Sequence, residues 1–442
     1  MYKYLECNAL ISESQHGFRN GRSCLTLLLK HHNEILENFI EGHDTDAIYL
    51  DYTKAFDRVD HDILIEKLRL YKFPDKLIRW LESFLRDRKQ TVVVNGKHSY
   101  SASVISGVPQ GTVLGPLLFI IFINDLSSTP LNSTIETFAD DTKIIKRIEN
   151  PTHMHELQRS LNSIMEWSSI NNMRLNEDKF QLIRHNYSSS DQFLQIPPFN
   201  SNNFSYSTTE GKDLLPQSTV NDLGVLISEN LSWSKHIGKI VSDSRRMAAW
   251  VLNTFHTRSP YVMLTLFRSL VRSKLEYCSP VWSSGKLGDL RALEGVQRSF
   301  TSSIAGMSGL NYWERLKALK ISSLQRRRER FSIFHTWKIL HSQVPNDINL
   351  EFERNRSNHL KATVKPLPRC SGRIQTLYED SFVVHAAKLW NLLPRHIADI
   401  DTFPAFKVAI DNLLALTPDK PPSDGYPFTN NNSLLNVLYP IR

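Results

Sequence analysis

Two apolar runs in this sequence each stop on a carboxylate, and that arrangement constrains the fold more than any other feature. In the first, "AIYL" (Ala47 to Leu50) ends at Asp51. In the second, "TFADDTKII" (residues 137–145) sets Asp140 and Asp141 side by side, after a stretch in which Ile135, Thr137 and Ala139 alternate with Glu136 and Phe138. Alternation predicts a strand, and the acidic doublet falls where one strand turns into the next. An acidic pair on an exposed hairpin tip needs no explanation beyond solubility. If the two strands are neighbours, however, three carboxylates within ~4–6 Å repel by roughly several kcal/mol at an effective dielectric near 20. They must lose charge or bind a cation. Oxygen-only ligation suits Mg²⁺, which takes a few carboxylates and keeps positions for water and phosphate oxygens. Two such ions ~4 Å apart can activate an attacking oxygen and stabilise a leaving one.

The surrounding pattern supplies a scaffold for those strands. A loop bearing Gly and Arg, "QHGFRNGRSC", feeds a predicted helix from about Ser23 to Glu41. After Asp51 two helices are expected, the first capped by Asp60 and the second lying behind Pro74, with apolar residues at 77, 78, 81, 84 and 85 on one face. "QTVVVNGKHSYSASVISG" reads as a hairpin turning at Asn95-Gly96. "GVPQGTVLGPLLFIIFINDL" is a Gly-Pro loop followed by an apolar helix. Lys143 to Arg147 resumes an extended or helical run. A helix over about residues 152–171 aligns Met154, Leu157, Leu161, Ile164 and Met165. "MRLNEDKFQLI" is a turn and strand, residues 187–218 a loop or hairpin, and "DLGVLISENLSW" a strand. From His236 onward the pattern is mostly helical, and no internal repeat is visible.

Charge divides the chain. Residues 1–240 hold 25 Lys and Arg against 29 Asp and Glu, whereas residues 241–442 hold 28 against 16, a net of +12. A basic half suits a polyanion partner, or else a solvated surface that aids solubility. The apolar run Val113 to Leu126 is broken by Gly and Pro and is shorter than the ~20 residues a membrane span needs, so no membrane association is expected. No secretory signal opens the chain, which favours an intracellular setting. Cys7, Cys24, Cys278 and Cys370 are too dispersed for a zinc site or a disulfide framework and are expected to be free thiols. The sixteen histidines show no zinc-ligand spacing.

Six stretches now fall into line: "QHGFRNGRSC", "AIYLDYTKAFDRVDHDILIEKL", "SGVPQGTVLGPLLFIIFINDL", "TFADDTKI", "NMRLNEDKFQLI" and "DLGVLISENLSW". Their order across residues 15–233 resembles that of the reverse transcriptase motifs of non-LTR retrotransposons. Downstream, "LVRSKLEYCSPVWSS" and "AAKLWNLLPRHIADIDTFPAFK" resemble the C-terminal region of jockey-type elements. The resemblance implies an α+β, right-hand polymerase fold: fingers (partial) and an antiparallel palm sheet over 1–228, a helical thumb over 229–345 and a basic, helical C-terminal region over 346–442. It implies RNA-templated DNA synthesis, with two Mg²⁺ ions, an RNA template, a DNA primer or target-site DNA, and deoxynucleotides. A location in nucleus and cytoplasm would follow, and the oligomeric state is left open.

Residue by residue, the resemblance makes Asp51, Asp140 and Asp141 the metal-binding carboxylates, with Asp141 the supporting member. Phe56 matches the aromatic gate against a ribose 2′-hydroxyl, and Tyr52 offers its backbone to the triphosphate. Gln110 and Gly111 match the loop against the incoming nucleotide, where Gly lets the backbone approach closely. Arg19 and Arg22 match basic finger residues that touch nucleotide or template. Lys179 matches a lysine proposed to protonate the leaving pyrophosphate. For the duplex backbone the thumb candidates are Arg245 and Arg246, together with Arg326, Arg327 and Arg328. Trp233, Trp250 and Trp282 are base-stacking candidates or core. Family members of this kind carry an upstream endonuclease and a further finger strand, so the expectation is a chain truncated at its N-terminus. A catalytically inactive nucleic-acid-binding relic and a host-domesticated polymerase remain alternatives.

Overall fold

A computed structural model describes residues 1–187, 204–283, 285–364, 372–421 and 432–435. Two compact units emerge: Met1–Leu27 with Gly42–Val220, and Leu28–Glu41 with Asn221–Arg442. The regions expected as thumb and C-terminal domain both fall in the second.

The first unit is built on a four-stranded antiparallel sheet. Its strands are β1 (Asp44–Leu50), β2 (Thr134–Phe138), β3 (Asp141–Ile148) and β4 (Gln181–His185), in the spatial order β2-β3-β1-β4. Central β1 has both faces covered, with Ala47 and Ile48 fully buried. This is why it reads as an apolar run instead of an alternating one. Its first residues escape hydropathy altogether. Asp46 is buried, its carboxylate accepting from the Tyr206 hydroxyl at 2.7 Å and lying 3.4 Å from Arg184 Nε. Burial pushes its pKa up to about 6 even so.

Helices form where the sequence predicts them. α1 (Cys24–Ile40) follows the GFR loop. α2 (His61–Leu70) starts at Asp60, whose side chain accepts from Asp62 and Ile63 N–H, and α3 (Asp75–Leu85) starts behind Pro74. α4 (Leu114–Ile123) is apolar on every side and is entombed, with Leu118 to Ile123 at 3% exposure or less. α5 (Pro151–Ile170) is capped by Asn150 and lays the predicted Met154, Leu157, Leu161, Ile164 and Met165 into the core beside β3. The hairpin turns at Asn95 and Gly96, with φ of 50° and 75°, joining Val93–Val94 to Lys97–His98. Of the expected loop at 187–218, residues 188–203 lie outside the described residues, and Tyr206–Ser207 pairs with Asp213–Leu214. The strand expected over "DLGVLISENLSW" is a ribbon of Thr219–Asp222 and Val225–Ser228.

The second unit is mostly helical. Its longest helices are α6 (Ser234–Thr254), α7 (Leu287–Ser302), α8 (Leu324–Leu340) and α9 (Phe403–Leu416). Trp282, Trp337, Trp390 and Phe406 are fully buried, with the Trp337 and Trp390 rings 5.6 and 5.9 Å from Phe406. Trp282 and Trp233 are therefore core residues, while Trp250 is 53% exposed. Among the described residues no helix is long and apolar enough to cross a membrane. Cys7, Cys24 and Cys278 form no disulfide, and Cys370 lies outside the described residues.

Candidate active site

The register of the sheet decides which carboxylates meet. Leu50 pairs with Thr142 across β1 and β3, and Phe138 pairs with Asp141 across β2 and β3, so Ala139 and Asp140 are the two residues of a tight turn. One step past Leu50 brings Asp51 to that end of the sheet. Asp51 is held there by its backbone, its carbonyl accepting from Asn176 N–H at 2.8 Å while Thr53 N–H donates to Arg174 C=O at 2.8 Å. "NMRLNED" thus extends the pairing beyond β1 and fixes the Asp51 Cα.

Electrostatics identify the pair. Burial first, and the negative charge of Asp51 second, raise the Asp140 carboxyl above the usual aspartate range. Asp51 is met by Lys179, whose Nζ lies 3.1 Å from Oδ2, an exposed contact of modest strength. Two hard oxygen donors at one end of the sheet, one of them raised by burial and by its neighbour, fit a divalent cation. Among the described residues, no group of three or more His, Cys, Asp or Glu gathers as a ligand cage. Asp141 is exposed at the start of β3.

The turn itself is strained. Ala139 has φ +56°, a left-handed conformation that costs an L-residue with a Cβ roughly 1–2 kcal/mol and that Gly or Asn would adopt more readily. Segment Ser14–His16 lies alongside β2, with Thr137 N–H donating to Ser14 C=O at 3.0 Å and His16 N–H to Thr137 C=O at 2.9 Å. From it the Gln15 side chain reaches Ala139, a contact the sequence did not announce.

Comparison with known proteins identifies the family. Residues 1–227, more than half of the chain, match the family described as "Reverse transcriptase (RNA-dependent DNA polymerase)". The chain belongs to the reverse transcriptase family. It is 26% identical over 307 residues to the RNA-directed DNA polymerase from mobile element jockey of Drosophila melanogaster, covering 67% of this chain and 32% of that protein. It is 25% identical over 310 residues to the probable RNA-directed DNA polymerase from transposon X-element of the same organism, covering 68% and 33%. A shorter match, 35% over 143 residues, is to the probable RNA-directed DNA polymerase from transposon BS of Drosophila melanogaster, covering 31% and 16%. The chain spans about a third or less of the length of these curated relatives. The fold is the right-hand polymerase fold, and its palm sheet is β2-β3-β1-β4.

The other reverse transcriptase motifs pack around this palm. Tyr52 is buried and its backbone bridges to Leu175. Half-buried Phe56 stacks on Phe119, ring centroids 4.2 Å apart at 12°, and meets Phe18 edge-on at 6.1 Å. Gln110 Nε2 donates to Asp57 Oδ1 at 2.9 Å, and Gly111 turns with φ +76° in open space. Beside them Gly107 is obligatory, because a Cβ there would sit 2.8 Å from the Asp57 Cα and carbonyl oxygen. Asp57, not among the residues expected from sequence, thus orients Gln110 and constrains Gly107.

The arginines divide by surroundings. Arg19 forks onto Glu6 with both bonds at 2.9 Å and donates to Ser12 C=O at 2.7 Å, and Arg22 pairs with Glu13 and reaches His16 Nε2 at 3.0 Å. Arg245 and Arg246 are exposed on α6, the latter paired with Asp243. The expected basic patch at 326–328 is not a surface patch. Arg326 and Arg328 are 1% and 2% exposed, and Arg327 is clasped by Glu276. Arg326 donates to Pro418 and Asn432 carbonyls at 3.0 and 3.1 Å, so its guanidinium fastens chain segments together, out of reach of a phosphate backbone.

Proposed function

We propose that this chain carries the polymerase activity of a non-LTR retrotransposon, synthesising DNA on an RNA template by transfer of deoxynucleotides to a primer 3′-hydroxyl. The observation that carries this reading is the convergence of Asp51 and Asp140 at one end of the palm sheet, where burial and the neighbouring Asp51 raise the Asp140 carboxyl. Asp51 and Asp140 would hold two Mg²⁺ ions, with Asp141 in support. Bound there, the ions would make the primer hydroxyl a better nucleophile and neutralise charge on the departing pyrophosphate.

The chain's own residues do the positioning. The backbone after Asp51, through Tyr52, would receive the triphosphate, and Phe56, held by its stack on Phe119, would exclude a 2′-hydroxyl. Gln110, oriented by Asp57, and the bare backbone of Gly111 would cover the nascent base pair. Lys179 is an ammonium beside Asp51, able to move to the leaving phosphate and donate its proton. Arg19 and Arg22 would act on template through the loop they brace, and Arg245 and Arg246 on α6 would meet the duplex backbone.

Extension of a labelled DNA primer on an RNA template with Mg²⁺ and deoxynucleotides tests this, comparing parent with Asp140→Asn. Extension by the parent alone supports the polymerase. Retained RNA binding with no extension by either folded protein would instead favour a nucleic-acid-binding relic.

A further inference from the structure

The Gln15 side chain is buried against the acidic turn. It is 3% exposed, and its amide closes a ring on one backbone unit: Oε1 accepts from Ala139 N–H at 2.8 Å while Nε2 donates to Ala139 C=O at 3.3 Å. The same Oε1 accepts from Gly17 N–H at 2.7 Å. Both hydrogen-bonding groups of the left-handed turn residue are thereby taken by one side chain 124 residues away. Approach this close requires Gly17, since a Cβ there would lie 2.3 Å from Ala139 N. The segment is anchored behind: Arg19 donates to Ser12 and Gln15 carbonyls while forked onto Glu6, and His16 Nδ1 meets Thr26 Oγ1 at 2.8 Å.

We infer that Gln15 is a positioning residue for the polymerase reaction, holding the Ala139 backbone in its left-handed conformation and so fixing where the Asp140 carboxylate stands. The inference rests on the polymerase reading above and adds a role to the N-terminal motif, whose buried glutamine and glycine serve the acidic turn. A turn with alanine at this position has no conformational preference of its own for φ +56°. The clamp supplies that preference, and a displacement of about 1 Å of the carboxylate is enough to lower a rate ~10²-fold.

Gln15→Leu keeps the size of the side chain and removes both bonds. Its expected effect is a fall in kcat of about tenfold to a hundredfold, with little change in nucleotide KM or RNA affinity. Ala139→Gly placed in the Gln15→Leu background lets the turn reach positive φ without assistance, and is expected to restore part of kcat. Amide hydrogen exchange gives a readout independent of turnover: Ala139 N–H should lose protection in Gln15→Leu while the β1 amides keep theirs. A kcat within twofold of parent, a loss confined to KM or RNA affinity, failure of Ala139→Gly to restore rate, or unchanged protection at Ala139 would each overturn the inference. If the parent itself extends no primer, the polymerase reading falls, and the exchange measurement still judges the clamp.

Discussion

In the first unit, Asp51 and Asp140 stand at strand ends with like charge beside like charge, and the ammonium of Lys179 meets Asp51 in an exposed contact. In the second, Arg326 and Arg328 lie buried among Glu329 and Glu294, and Arg327 and Arg330 are bound to Glu276 and Asp411. In sequence the second is charge concentrated within a few residues, whereas the first is brought together only by the register of two distant strands. The fold leaves Asp140 raised by burial and by Asp51, and sets carboxylates against the arginines of the second. Like charge beside like charge marks chemistry, and charge met by its opposite marks architecture.

The sharpest way to break this comparison is to neutralise one member of each. Asp140→Asn should lower primer extension by about a thousandfold or more, because it removes a donor for the charges of the transition state. The same change should raise the melting temperature at neutral pH. The sign follows from linkage: a carboxyl raised in the folded state penalises the fold above that value, and the penalty vanishes as pH falls below the unfolded aspartate range. The gain in Tm should therefore be present at pH 8 and absent near pH 3.

Arg326→Leu should do the reverse. It takes one of two guanidiniums from buried Glu329 and leaves two carbonyls without their donor, a destabilisation of roughly 3–5 kcal/mol measurable by denaturant titration. RNA affinity per folded molecule should not change. Phe56→Val should raise ribonucleotide incorporation relative to deoxynucleotide by roughly tenfold or more in single-nucleotide assays; unchanged discrimination would make Phe56 a packing partner of Phe119 alone. Arg245→Ala with Arg246→Ala should have the smallest effect on the fold, within about 0.5 kcal/mol. That pair should reduce the slope of log affinity against log salt by about one for each phosphate that the arginines neutralise. A steep slope that survives the double change would locate the duplex-binding surface elsewhere.

Much of the palm was legible because its signals are local. The hairpin at Asn95-Gly96, the cap at Asp60 and the apolar stripe of α5 are each written within a few residues. β3 was ambiguous between strand and helix because "DTKIIKRI" has no clean period, its Lys143 being buried in a pair with Glu136 of β2 at 3.2 Å. The start of β1 was missed for the same reason, since Asp46 is tolerated only through Arg184 and Tyr206. Distance in sequence also hid the roles of Arg326, held by carbonyls 92 and 106 residues away, and of Gln15. Patterns report what a residue is; only the fold reports who answers its charge.

The most direct test of the central claim is the single-nucleotide incorporation rate of parent, Asp51→Asn, Asp140→Asn and the double variant, each at saturating Mg²⁺ and deoxynucleotide. If the two carboxylates act as one unit, either single change should reach the same floor as the double. A single variant within tenfold of parent, or losses that multiply in the double, would contradict a shared site.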